Sequence, residues 1–225
     1  MKLKVRKNNL YPFSILALGI LLISSLVTNF ILLQKNQKLG TGIKVIGVID
    51  GDTLVLDGKV RLRLRHLDAP ELEFCGGNEA KDLLESLVKD KKVVLEEYIL
   101  DQQGRPMALI YVDSKLVNQE LLESGWARYH SDKTSRTEEL KQVADEAKDS
   151  KRGLFGPQCY QTENLEKPEC NIKGNIDKNT KTRLYYYPGC AQYEFAIVEK
   201  DIGEDWFCTE REAKEAGFEK AKTCR

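Results

Sequence analysis

Three short stretches hold side chains able to act together on a phosphodiester: IDGDT at 49–53, RLRHLDAPE at 63–71 and DQQGR at 101–105. Their acids, Asp52, Asp68 and Glu71, are hard oxygen donors of the kind that suits calcium or magnesium. No His or Cys stands there at zinc spacing. A phosphodiester gathers charge on its non-bridging oxygens as it is attacked. Two arginines, Arg63 and Arg105, could clamp those oxygens bidentately, as lysine could not. A metal would supply Lewis-acid charge and a carboxylate would orient a water. These parts suffice for hydrolysis without a covalent intermediate. Each also has an ordinary explanation: Asp-Gly-Asp is turn chemistry, and Arg61, Arg63 and Arg65 could be a solvated strand face. Order and spacing together set them apart.

The elements that must position these residues follow from the pattern. Lys44–Ile49, Thr53–Leu56 and Val60–Leu67 read as strands, joined by turns at Asp50-Gly51 and Asp57-Gly58, so the domain opens as a meander. Along the third strand the alternation puts leucines inward and arginines outward. Glu79–Val88 has helical spacing with Asn78 as its cap. Lys92–Leu100 and Met107–Val112 read as two more strands. Val117–Ser124 is a helix ended by Gly125, and a longer helix starts at Ser135, with Glu138 completing a capping box. The expected class is α+β: a five-stranded OB-type β-barrel with three helices. One transmembrane helix is expected before it and a small cysteine-rich domain after it.

Charge is unevenly spread although the net is +0. The first 42 residues carry only positive charge, and 43–157 come out four units acidic. A nucleic-acid enzyme of this kind would depend on local arginines and a bound cation rather than on a global field. Residues 10–33, LYPFSILALGILLISSLVTNFILL, are uncharged and long enough to span a bilayer. The expected organisation is a basic cytoplasmic tail at 1–9, a signal anchor at 10–33 and a linker at 34–42. A barrel domain at 43–157, a linker at 158–169 and a four-cysteine domain at 170–225 complete it. A cleaved signal peptide is the competing reading, and would make the protein secreted.

VIDGDTLVL, VRLRLRHLDAPE, GRPMALIYVDSKLVNQELLESGWA and the closing GLFG resemble the thermonuclease family, whose archetype is staphylococcal nuclease. The resemblance covers about 43–157. It implies that Asp52 and Asp68 bind Ca2+ through carboxylates and Ala69 through its backbone carbonyl, where the archetype has threonine. It implies that Glu71 orients or deprotonates the water, that Arg63 and Arg105 hold the phosphate, and that Asp50 and Thr53 support the ligands. The implied activity is calcium-dependent cleavage of DNA, and of RNA too, to 3′-phosphates. Gln103 and Ser131 stand where the archetype stacks bases on tyrosines, with Tyr129 nearby. His66 and His130 have no role in such a mechanism and are read as structural. A non-catalytic nucleic-acid or cell-surface binding module on the same fold is the alternative. A monomer with no inferable protein partner is expected.

Six cysteines follow the apolar segment. They allow 15 pairings, and spacing does not choose among them; because Cys170, Cys190, Cys208 and Cys224 all lie in the tail, one expectation is that Cys75 pairs with Cys159 and staples the loop after Glu71 to the end of the barrel domain. The tail is similar to a small domain often found behind exported bacterial nucleases. It is more weakly similar to the zinc-binding domain of the adaptive-response DNA repair protein. Its lack of a CxxC pair favours two disulfides over zinc.

Overall fold

The computed structural model describes residues 24–25 and 42–224. The segment 10–33 therefore lies outside the described residues except for Ser24 and Ser25. Among the described residues no helix is long and apolar enough to cross a membrane.

Strands β1 (Ile43–Val48), β2 (Thr53–Leu56) and β3 (Val60–Leu64) form the opening meander, with Thr53 opposite Arg63. A two-residue strand β4 (Leu67–Asp68) and helix α1 (Gly77–Val88) follow, then β5 (Lys92–Leu100) and β6 (Pro106–Val112). The order β3-β2-β1-β5-β6 closes because β6 also pairs with β3, in parallel, with Arg63 opposite Met107. The result is a closed five-stranded barrel. Closure has a direct consequence for the site: it carries the β5–β6 turn, with Arg105, round to the strand that bears Arg63.

Alternate residues fill the barrel, among them Leu54, Leu56, Leu62 and Leu64, as the period of two requires. After β7 (Lys115–Leu116) come α2 (Val117–Ser124), β8 (Arg128–Tyr129) and α3 (Thr137–Asp149). Leu84 and Val88 of α1, Leu121 and Leu122 of α2, and Leu140 of α3 cap the same core. Two helix starts differ from expectation. Helix α1 begins at Gly77 behind a left-handed Gly76, and Asn78 donates to the Leu72 carbonyl instead of capping. Helix α3 begins at Thr137, and Ser135 is drawn away by a 2.5 Å hydrogen bond to Glu97. In both places a tertiary partner outcompetes the local cap.

Arg65 corrects the outward arginine face. It is 4% exposed, beyond the end of β3, and donates to both oxygens of Asp132 at 2.5 and 2.7 Å. It also donates to the Glu97 and Lys133 carbonyls. Every strand period aside, a guanidinium can be interior when this many acceptors surround it.

The tail contains β9 (Tyr160–Gln161), β10 (Ile172–Ile176), β11 (Arg183–Tyr186), β12 (Val198–Glu199), β13 (Asp205–Phe207), helix α4 (Glu210–Glu215) and β14 (Glu219–Lys220). Four of these strands form a sheet ordered β13-β10-β11-β14. Its core of Ile172, Tyr185, Phe207, Ala213 and Phe218 is separate from the barrel core, yet residues 43–225 form one compact unit. The cysteines pair as Cys75–Cys159, Cys170–Cys208 and Cys190–Cys224, so the disulfide expectation holds and none is left for zinc.

Gly51 is required for close approach rather than for its dihedrals. A Cβ there would stand 2.4 Å from the Ala80 Cβ and 2.6 Å from the Ala69 Cβ. Gly51→Ala should therefore push the Asp52 loop away from α1 and cost about 1–3 kcal/mol, the range for overpacking. Urea denaturation compared with the parent chain checks this.

Candidate active site

The site lies where the β1–β2 turn, the end of β3, the loop after β4 and the β5–β6 turn meet. Asp52 is 2% exposed; its carboxylate accepts three hydrogen bonds and its backbone N–H donates a fourth. Its Oδ1 accepts from Arg63 at 2.5 Å and from the Thr53 hydroxyl at 2.8 Å, and its Oδ2 accepts from the Ala69 N–H at 3.1 Å. Its own N–H donates to Asp50 at 3.0 Å. The other end of the Arg63 guanidinium donates to Asp68, which is exposed. One guanidinium thus bridges the two acids, and Asp50, Thr53 and Ala69 all touch the Asp52 carboxylate or its backbone. Burial pushes the Asp52 carboxyl up to about 6; Arg63 opposes the shift and Asp50 adds to it.

Arg105 is 58% exposed in its turn, with Nε on Asp101 at 2.6 Å. Asp101 also accepts the Arg105 and Gln103 N–H groups, both at 2.8 Å, and Gly104 at φ 77 makes the tight turn possible. The hydrogen bond from the Arg105 backbone, first among several, holds the Asp101 carboxyl below the usual range. Glu71 is exposed, and among the described residues its carboxylate has no hydrogen-bond or ion-pair partner. Its carbonyl accepts from Phe74 at 2.9 Å, which shapes the loop that Cys75–Cys159 ties down. Asp52, Asp68 and Arg63 are therefore in direct contact, while Arg105 and Glu71 face solvent from neighbouring loops.

The family model described as staphylococcal nuclease homologue matches residues 61–156. An uncharacterized endonuclease of Escherichia coli O157:H7 is 35% identical over 120 residues, covering 50% of this chain and 75% of that protein. The chain belongs to the staphylococcal nuclease homologue family. A probable staphylococcal-like nuclease of Oryza sativa subsp. japonica is 35% identical over 127 residues, but the chain spans only 32% of its length. An uncharacterized endonuclease of Haemophilus influenzae is 31% identical over 111 residues, covering 62% of that protein. The family match includes Arg63, Asp68, Ala69, Glu71 and Arg105. Asp50, Asp52 and Thr53 lie ahead of it and are tied to the matched segment by geometry: Thr53 pairs with Arg63 across the strands, Asp52 bonds to Arg63, and the Asp52 N–H donates to Asp50.

Several supporting residues have no local signature. Arg65 and Asp132 are 67 residues apart in sequence. Asn118 is fully buried, accepts from Ile110 N–H at 2.9 Å and donates to the Arg65 carbonyl at 2.8 Å. A lone Asn on an apolar helix face was its only clue. His66 is buried, with Nε2 2.7 Å from the Thr134 hydroxyl and its ring stacked on Tyr129, while Gln103 and Ser131 are exposed.

The donor set fits a hard cation. Two carboxylates already converge on one positive group, and Ala69 is anchored through its N–H to Asp52. Among the described residues no three acids, His or Cys are yet gathered at metal-holding separation. Arg63 fills the space between Asp52 and Asp68 instead.

Proposed function

We propose that the chain is a calcium-dependent nuclease that hydrolyses DNA, and RNA as well, to 3′-phosphate products outside the cytoplasm. The observation that carries this reading is the Arg63 bridge between Asp52 and Asp68, in a chain of the staphylococcal nuclease homologue family. Asp52 and Asp68 would hold Ca2+ through carboxylates and Ala69 through its carbonyl, and the ion would supply Lewis-acid charge to the phosphoryl oxygens. The planar Arg63 guanidinium, with two donors aimed from one fork, would hold the phosphate bidentately. Arg105 approaches from the β5–β6 turn, its exposed side chain exchanging Asp101 for a second phosphate oxygen. Glu71, unpartnered and solvated, orients the attacking water and takes its proton. The proposal includes anchoring through residues 10–33, with the catalytic unit outside and in monomeric form.

Digestion of single-stranded DNA, duplex DNA and RNA, with calcium and then with a chelator, tests the assignment. Cleavage is expected with calcium and its loss on chelation, with 3′-phosphate ends by mass spectrometry. Full activity in excess chelator would remove calcium from the mechanism.

A further inference from the structure

The barrel is mildly acidic, yet its substrate would be a polyanion. The missing attraction has a source in the tail. A cavity of about 490 Å³ opens beside the proposed catalytic site, and one of its lining residues is Asp68. Four of the other lining side chains are cations: Arg128 from the barrel and Lys178, Lys181 and Arg183 from the β10–β11 hairpin. The three tail cations are exposed. Among the described residues neither Lys181 nor Arg183 forms an ion pair, whereas Lys178 meets Glu199 at 2.5 Å. Asp177, the acid beside them, is engaged by the Asn179 and Thr180 N–H groups within its own turn.

This wall is held in fixed relation to Asp68. Arg128 stands opposite Asp68 in the β4–β8 pair and donates to buried Asp201 of the tail at 2.5 and 2.9 Å. Strand β9 pairs with β12, the Lys200 N–H donates to the Cys159 carbonyl at 2.8 Å, and the Cys75 N–H reaches the Lys200 carbonyl at 3.4 Å. Gly203 lies so close to Phe74 that a Cβ would stand 2.8 Å from its ring. Arg128 is thereby committed to docking; of the hairpin cations, Lys181 and Arg183 have no ion-pair partner among the described residues, Arg183 lies over the Phe218 ring at 5.5 Å, and Lys178 shares its charge with Glu199.

We propose that Lys178, Lys181 and Arg183 form an extended binding track for the sugar-phosphate backbone of a single strand of nucleic acid beside the scissile phosphate. The inference rests on the nuclease reading for its substrate class. It gives the cysteine-rich tail a function: two disulfides and a small core keep the basic hairpin folded, and the Arg128–Asp201 pair and the Lys200–Cys159 hydrogen bond hold it beside the acidic barrel. Cations lining a groove that tracks a phosphate backbone make binding steeply salt-dependent.

The test uses the full chain with Lys178→Ala, Lys181→Ala and Arg183→Ala combined. Lys89→Ala, Lys91→Ala and Lys92→Ala combined, none of which lines the cavity, is the net-charge control. Binding of a fluorescent single-stranded oligonucleotide is read by anisotropy in chelator across a salt series, so that no turnover is needed. The tail variant should bind about tenfold more weakly, and its slope of log affinity against log salt should fall by about 2, as three lost phosphate contacts on a single strand imply. The control should move neither quantity. With calcium, the tail variant's KM on long single-stranded DNA should rise while kcat on a dinucleotide stays unchanged. An unaltered affinity and salt slope would overturn the track even if cleavage is robust. A weakened tail variant of a chain that cleaves nothing would instead retain the track and discard the nuclease reading. Thermal melts identical to the parent's confirm that these exposed substitutions leave the fold intact.

Discussion

Arg63→Ala should lower kcat on single-stranded DNA by about 10³-fold, the scale of losing an arginine that stabilises a phosphoryl transition state. The side chain sits at the end of β3, half-buried, with one end on Asp52 and the other on Asp68. That double contact gives a second, opposite effect. In the metal-free chain the guanidinium competes with any cation for the same two carboxylates. Removing it should therefore tighten calcium binding, measured by titration calorimetry, while turnover collapses. Arg63→Lys keeps a charge but loses the planar fork, so it should recover only a small part of the rate. A rate close to the parent's in Arg63→Ala would show that the bridge is structural and that phosphate is held elsewhere.

Asp132→Ala should cost about 3–5 kcal/mol of stability, because it leaves a buried guanidinium without its counter-charge. Arg65 would retain only the Glu97 and Lys133 carbonyls as acceptors. The same pair makes a pH prediction. The hydrogen bonds from Arg65 hold the Asp132 carboxyl at about 2, below its ordinary 3.8. A depressed carboxyl favours the folded state when ionised. Its contribution of about 2 kcal/mol is thus fully present above about pH 5 and is lost as pH falls through 3.8 towards 2. Urea denaturation at pH 7 and near pH 2.5 should show Asp132→Asn losing less stability on acidification than the parent chain. Equal acid sensitivity in the two would place the relevant proton on another group.

The two cases differ in how they could be read from residues alone. Arg63, Asp68, Glu71 and Arg105 lie in short strings whose order carries the proposed chemistry, and the hairpin turns that set their strands are local Asp-Gly signals. Leu54, Leu56, Leu62 and Leu64 fill the barrel because alternation is a backbone property. Arg65 has the same spacing as Arg61 and Arg63, and the alternation sends it outward. Its burial depends on Asp132, which arrives from 67 residues away, and on the chain leaving β3 at Leu64. The expected caps at Asn78 and Ser135 fail for the same reason, since Leu72 and Glu97 offer partners that no local rule includes.

Turn signals and backbone period alone account for the strand and turn order that closes into a barrel, and the family resemblance singles out the candidate site residues, whereas the Cys75–Cys159 link was one expectation among several pairings until the fold brought the two together. Spacing and period are properties of neighbouring residues, so a strand or a turn can be read from them. The three-dimensional fold, by contrast, is what joins Asp52 to Asp68 through one guanidinium and carries the Arg105 turn beside it by barrel closure. It alone placed the Lys178–Arg183 hairpin next to Asp68, because that neighbourhood is made by Arg128 reaching Asp201 across 73 residues. Contacts of that range depend on where a chain has already folded, and no periodicity encodes them.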